Sequence, residues 1–187
     1  MNKPKLILVG GAPATGKTTV ATALAKATGI RRVSMDEVKE ALFDVGGYRD
    51  RAWSKEIGRI AWPTFQRLVE LHLAKGDSLI AEATYVWPSD VRWIRSLMKK
   101  YHPDATQLWL TADPSVARER FLKRANSRKR HPGHNDALDA VLAEFDKRYF
   151  HRRFEKLSLG KVPTLVIDTS ASARLDIKEI SQFVSRS

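Results

Sequence analysis

The chain has 187 residues, 43% of them hydrophobic, with 7 Phe, 5 Trp and 4 Tyr; this is one domain's length with enough apolar side chain for a core, which excludes disordered and collagen-like classes. It has no cysteine, so disulfides, thiolate metal sites and a thiol nucleophile are excluded. Its 33 Lys and Arg oppose 21 Asp and Glu for a net charge of +12, a field that favours anionic ligands without choosing among nucleotides, phosphorylated metabolites and nucleic acid.

In chain order, short apolar runs alternate with longer stretches of helical period, the pattern of a parallel sheet wrapped by helices. Strands are predicted at 6–9, 32–34, 78–83, 106–110 and 164–167, and helices at 17–27, 36–43, 51–75, 90–100, 114–126, 136–156 and 173–185, within a single domain over 1–187. Ser34 to Glu37 has the Ser-x-x-Glu form of a capping box, and Asp113-Pro114 sets a capping carboxylate before a proline at the first helical position. Pro63 is expected to kink or divide the third helix. No stretch approaches the roughly 18 apolar residues of a membrane span, so a cytoplasmic protein with no membrane partner is expected.

The most informative segment follows the first strand. Gly11-Ala12-Pro13-Ala14-Thr15-Gly16-Lys17-Thr18 fits G-x-x-x-x-G-K-[ST], with Leu6-Ile7-Leu8-Val9 before it and a helical run from Thr19 after it, the strand–loop–helix context the motif requires. Glycines let backbone close around a phosphate, the N–H groups of the loop and first helical turn point inward, and the positive end of the helix dipole favours negative charge. Gly11 through Thr19 are therefore the expected nucleotide cradle. Lys17 supplies a point charge for the β- and γ-phosphates, and Thr18 a hydroxyl for Mg²⁺. No Asn-Lys-x-Asp guanine-reading motif is present, which argues against a GTP switch, and the length leaves no room for the added helical domain of oligomeric motor ATPases. A small phosphotransferase is the reading that remains.

At this point the sequence resembles the small P-loop kinases, a group that includes polynucleotide 5′-kinases, zeta-toxin kinases and chloramphenicol phosphotransferase. The resemblance runs from Lys5 to about Asp168. It rests on Gly11 to Thr18, on Ser34-Met35-Asp36, on Ile80-Ala81-Glu82 and on the Arg-rich segment 118–130. It implies a three-layer α/β P-loop fold with a five-stranded parallel sheet and a short Arg-rich lid, ATP and Mg²⁺ as cofactors, and a hydroxyl acceptor. In that group the acid after the second strand contacts the acceptor hydroxyl as general base, the place of Asp36. Lid arginines contact the ATP phosphates, which points to Arg124, Arg128 and Arg130 in a lid of about 124–135, and the loop after the last strand, here Asp168-Thr169-Ser170, borders the adenine. A small-molecule acceptor (sugar, nucleoside or antibiotic) is expected; a polynucleotide 5′-hydroxyl, which would account for the positive charge, and a regulatory P-loop ATPase are the alternatives.

The residues also carry their own arguments. A strand ending beside the phosphate loop delivers the residues after it to the crevice where ligands bind, so Asp36 would face the γ-phosphate and could orient a hydroxyl and take its proton; the alternative is that it serves only its helix dipole. Glu82 could hold a magnesium-bound water or the acceptor, or simply end a strand at solvent. Tyr85 and Trp87 could stack a flat acceptor or pack as cleft wall. Ala117, Phe121 and Ala125 form an apolar stripe, and Arg120, Arg124 and Arg128 a basic ridge at the same step, leading to the turn at His131-Pro132-Gly133-His134; this reads as a lid or as a solvated face. The two histidines lack a third ligand for zinc. Lys147, Arg148, His151, Arg152, Arg153 and Lys156 could track a polyanion or be an exposed face.

Overall fold

The computed structural model describes residues 3–127, 130–136, 139–150, 154–171 and 176–186, without the side chain of Phe150. The order is β1 (Lys5–Gly11), α1 (Lys17–Thr28), β2 (Arg31–Ser34), α2 (Met35–Gly46), α3 (Arg51–Ala74), β3 (Leu79–Glu82), α4 (Pro88–Tyr101), β4 (Asp104–Thr111), α5 (Pro114–Ala125), a 3-10 turn at Pro132–His134, α6 (Asp139–Phe150), β5 (Thr164–Asp168) and α7 (Ile177–Arg186). The five strands form one parallel sheet in the order β2-β3-β1-β4-β5. The central runs, Leu6–Val9 of β1, Leu79–Ala81 of β3 and Leu108–Leu110 of β4, are apolar on both faces because helices cover both. Leu6 and Leu8 of β1, with Leu79, Ala81 and Trp109, meet Phe65, Val69, Ile94 and Leu97 of α3 and α4. Ile7 and Val9, with Ile80, Leu108 and Leu110, meet Val20, Ala21 and Leu24 of α1 and Ile180 and Val184 of α7. The result is a three-layer α/β fold.

Register decides what stands together at the carboxyl edge. Val9 pairs with Glu82 and Glu82 with Ser34, so the loop after β1, the acid ending β3 and the residues just after β2 emerge side by side. Gly10 and Gly11 lie against β4, where a Cβ on Gly10 would strike the Trp109 ring and one on Gly11 would overlap the Leu110 carbonyl oxygen. Gly11 also has φ +132°, a conformation that L side chains rarely adopt. Gly11→Ala is therefore expected to destabilise the fold by about 3 kcal/mol, lowering Tm by roughly 10 °C in a thermal melt.

Several predicted details differ. Ser34 takes the N-cap position of α2 without a side-chain hydrogen bond, and Glu37 instead pairs with Arg32, so no capping box forms. Asp113 does cap α5, accepting from the Ser115 N–H ahead of Pro114. Pro63 does not divide α3: the helix is continuous because Ile57, Ala61, Phe65, Val69 and Leu73 are all buried, and burying such side chains at about 1.5–3 kcal/mol each outweighs the roughly 3 kcal/mol cost of a mid-helix proline. The described part of α6 is Asp139–Phe150, and from Phe154 to Leu159 the chain is not helical, so the helix does not reach 156. Past it, Leu157 and Leu159 enter the core at a two-residue step. The Gln107 side chain takes both backbone groups of Leu157, donating to its carbonyl oxygen at 3.2 Å and accepting from its N–H at 3.0 Å, which replaces the helical partners those groups would otherwise need. Among the described residues no helix is long and apolar enough to cross a membrane.

Candidate active site

A cleft of about 920 Å³ runs along the carboxyl edge of the sheet, walled by the β1–α1 loop, the start of α2, one face of α3, the β3–α4 loop, α5 and α6. Its floor is the phosphate loop. Ala14 and Gly16 take positive φ, Thr15 donates its hydroxyl to the Ala12 carbonyl at 2.8 Å, and the first turn of α1 holds no acidic side chain to offset its positive end. The loop is braced from outside: Tyr149 of α6 donates to the Pro13 carbonyl at 3.1 Å, and Thr169, beyond β5, donates to the Thr15 carbonyl at 3.1 Å. Arg120 fixes Thr169 in turn, donating to its carbonyl at 2.7 Å and its hydroxyl at 3.1 Å.

Lys17 folds back over the loop and donates to the Ala12 carbonyl at 2.7 Å. Burial lowers its pKa to about 8, against the raising influence of Asp36 and Glu82. An arriving phosphate would supply the missing counter-charge and restore the ammonium. Binding of a nucleoside triphosphate is therefore expected to be strongest below pH 8 and to weaken as pH rises through and above that value, by up to about tenfold per unit. Titration calorimetry at pH 7 and pH 9.5 checks this, with proton uptake accompanying binding at the higher pH.

Glu82 is buried at the end of β3, so it does not merely carry the strand into solvent. Thr18 donates to its Oε1 at 2.6 Å, and Arg32 to its Oε2 at 2.7 Å. A carboxylate fixed beside the loop's Thr hydroxyl is the oxygen donor set that Mg²⁺ takes through its water shell. Thr18 and Glu82 thus are the residues that would hold a magnesium ion accompanying a nucleotide. Thr19 follows Thr18 as an exposed residue of the first turn of α1.

Asp36 lies in the first turn of α2 with its side chain about half open to the cleft. Burial of the site pushes its carboxyl upward, but Arg130, helped by His134 and Arg124, more than reverses this and holds it well below the usual carboxylate range. Arg130 donates from Nη1 to Asp36 at 3.0 Å and to Glu40 at 3.4 Å, and from Nε to Asp136 at 2.7 Å. The predicted lid is accordingly fastened to α2: His134 meets Glu40 at 2.9 Å and His131 stacks on Phe43 with ring centroids 5.2 Å apart. The two histidines thus act in packing and pairing, and no group of three metal-binding side chains occurs among the described residues. Arg124 lines the cleft, 3.6 Å from Asp136, with its Nε enclosed and lacking an acceptor. The Arg120–Arg124 part of the basic ridge therefore faces inward. Arg128 lies outside the described residues, as do Lys129, His151, Arg152 and Arg153.

The two aromatics diverge. Tyr85 is 2% exposed, donates its hydroxyl to the Ala81 carbonyl at 3.0 Å and meets Trp62 edge-on; its ring belongs to the packed wall. Trp87 is 53% exposed at the mouth. Sequence reasoning missed Arg32, Lys39, Glu40, Arg51 and Asp136. Period-two alternation on β2 puts Arg32 on the face of Ser34, a signal that was available; the others depend on contacts between distant segments.

A Gly-x₄-Gly-Lys-Thr loop on the central strand of a parallel sheet, with a buried acid on the neighbouring strand against its Thr, defines a P-loop nucleotide-binding domain. Residues 6–148 match the AAA domain family model, and the chain belongs to that family, within the small P-loop kinases. A presumed kinase from Chloroflexus aurantiacus is 34% identical, with a TM-score of 0.86 over 99% of this chain and 98% of that one. Chaetomium thermophilum Kti12, solved with ADP-AlF3, is 17% identical with a TM-score of 0.64 over 98% and 96% of the two chains. A gluconokinase from Sinorhizobium meliloti is 17% identical with a TM-score of 0.55 over 97% and 89%. An uncharacterized protein of Mycobacterium tuberculosis is 28% identical over 151 residues, 77% of this chain and 29% of that protein. The chain thus spans about 29% of the length of the curated relatives it matches.

Proposed function

We propose that residues 1–187 act as one cytoplasmic kinase domain that transfers the γ-phosphoryl group of ATP to a hydroxyl of a small molecule. The observation that carries this reading is the convergence on one cleft of Lys17, the Thr18–Glu82 pair, Asp36 and two arginines, Arg124 and Arg130. The loop amides and Lys17 hold the β- and γ-phosphates. Asp168-Thr169-Ser170 borders the base. Mg²⁺, held by Thr18 and through water by Glu82, would draw charge from the phosphate oxygens. The acceptor hydroxyl aligns on Asp36; its oxygen bonds to the γ-phosphorus as the bond to the β–γ bridging oxygen breaks, ADP leaves with that electron pair, and the hydroxyl proton passes to Asp36. A carboxyl as acidic as Asp36 takes the proton only late, which suits a loose transition state that needs positioning more than basicity. Arg124 and Arg130 neutralise the transferring group, and Trp87 covers the acceptor's entrance.

The test is incubation with γ-labelled ATP and separate pools of sugars, nucleosides, aminoglycoside and phenicol drugs, and oligonucleotides. Label in a small-molecule pool is the expected result. The +12 net charge gives the oligonucleotide pool its own argument, and salt separates the two: a polynucleotide acceptor loses affinity steeply with ionic strength, in proportion to the phosphates it pairs. ATP turnover indifferent to every pool would contradict phosphotransfer.

A further inference from the structure

The far end of the same cleft, beyond Asp36, is lined by α2, α3 and α6, and its charge is one-sided. Lys39 lies one helical turn after Asp36 on α2, so the two side chains share a face at a rise of about 5 Å. Its ammonium donates to the fully buried Ser54 at 3.1 Å and sits over the Phe43 ring at 5.3 Å. Among the described residues no carboxylate lies within ion-pair distance of it. Opposite stand Arg51 and Lys55 of α3 and Arg148 of α6, all of which share the single carboxylate of Glu144, at 2.6, 3.0 and 4.0 Å. Four cations therefore gather here with Glu144, and only the more distant charges of Asp36 and Asp136 act on Lys39 besides. Arg51 is also under-satisfied, its Nε enclosed and without an acceptor.

A cation withdrawn from water and left without a counter-charge is costly unless a ligand supplies one. We infer that the phosphoryl acceptor is itself an anion: it carries a phosphate or carboxylate group that seats on Lys39, Ser54 and Arg51, about one helical turn from the hydroxyl that Asp36 aligns. The anion subsite stands without the proposed phosphotransfer, whereas its occupant's being the phosphoryl acceptor rests on it. Arg51, Asp36, Arg130 and Asp136 are the charged groups that set the state of Lys39, and burial, the largest influence, with Arg51 next, lowers its pKa to about 8.

That lowered pKa makes Lys39 a reporter. With a non-hydrolysable ATP analogue and Mg²⁺ saturating the phosphate loop, the reactivity of the Lys39 amine toward acetic anhydride is followed against pH by peptide mass spectrometry. Millimolar inorganic phosphate is expected to raise the apparent pKa by about one unit and slow labelling at pH 8 about fivefold, whereas glycerol does neither. Unchanged labelling with phosphate would overturn the subsite. Label transfer supplies the second readout: sugar phosphates and hydroxy acids, run as separate arms, identify which anion is used, and the better should exceed its neutral analogue at least tenfold in kcat/KM. Lys39→Met should remove that preference through KM, and Lys39→Arg should restore part of it. Equal transfer to neutral analogues overturns the anionic acceptor while phosphotransfer stands. Phosphate protection with no transfer to any pool supports the subsite and counts against phosphotransfer.

Discussion

Lys17→Ala is expected to abolish phosphoryl transfer and to weaken ATP binding about 100-fold, measured by titration calorimetry at pH 7. The size follows from what the ammonium does. It is the one cation seated within the phosphate loop, donating at 2.7 Å to the Ala12 carbonyl, and a hydrogen bond between charged groups contributes about 1.5–3 kcal/mol, with about 2.7 kcal/mol equal to 100-fold. The loop amides survive the substitution, since Thr15 and Thr169 hold the backbone without Lys17. Binding is therefore reduced rather than removed, and the thermal stability of the variant stays close to that of the parent. Because burial costs the ammonium part of its charge near pH 8, removing it relieves that cost. A fall in Tm of more than a few degrees would mean that Lys17 serves the fold, not the ligand.

Asp36→Asn separates the two halves of the site. Transfer should fall by about 10²–10⁴-fold, the usual contribution of a positioned acid–base group, while the ATP dissociation constant changes less than about threefold. The amide keeps the shape of the side chain but cannot take the acceptor's proton. The substitution also removes one partner of Arg130, which retains Asp136 and Glu40. pH gives an independent view. The folded carboxyl is more acidic than in the unfolded chain, so the Asp36–Arg130 pair contributes stability above pH of roughly 4 and loses it as pH falls; the variant should lack that part of the acid dependence of Tm. Transfer rates equal to those of the parent would remove Asp36 from the mechanism.

What the sequence disclosed follows the range of the interactions involved. The phosphate loop could be read because strand, glycines, Lys17, Thr18 and helix are contiguous, and backbone geometry within such a stretch is local. Asp36 and Glu82 were placed by the rule that residues after parallel strands reach the carboxyl edge, and register brings their strands together. The partners of these acids could not be read. Arg32 is 50 residues from Glu82, and Arg130 is 94 from Asp36; both pairings require the sheet order and the packing of 130–136 onto α2. Local signals also lost where tertiary burial outweighed them. Glu37 pairs with Arg32 instead of capping, Pro63 stays inside a helix buried along one face, and the chain is no longer helical by Phe154, so that Leu157 and Leu159 reach the core. Tyr85 was legible as an aromatic near the cleft, but whether its ring faced a ligand or the core depended on Trp62, 23 positions away in the chain.

The most direct measurement is a calorimetric titration of the parent protein with magnesium and ATP at pH 7. Saturable heat at one nucleotide per chain, lost when magnesium is chelated and shifted about 100-fold in Lys17→Ala, is the predicted result. A flat isotherm up to millimolar ATP would contradict the assignment of Gly11 to Thr19 as a triphosphate cradle, and every role given to Asp36, Glu82 and the lid arginines would fall with it.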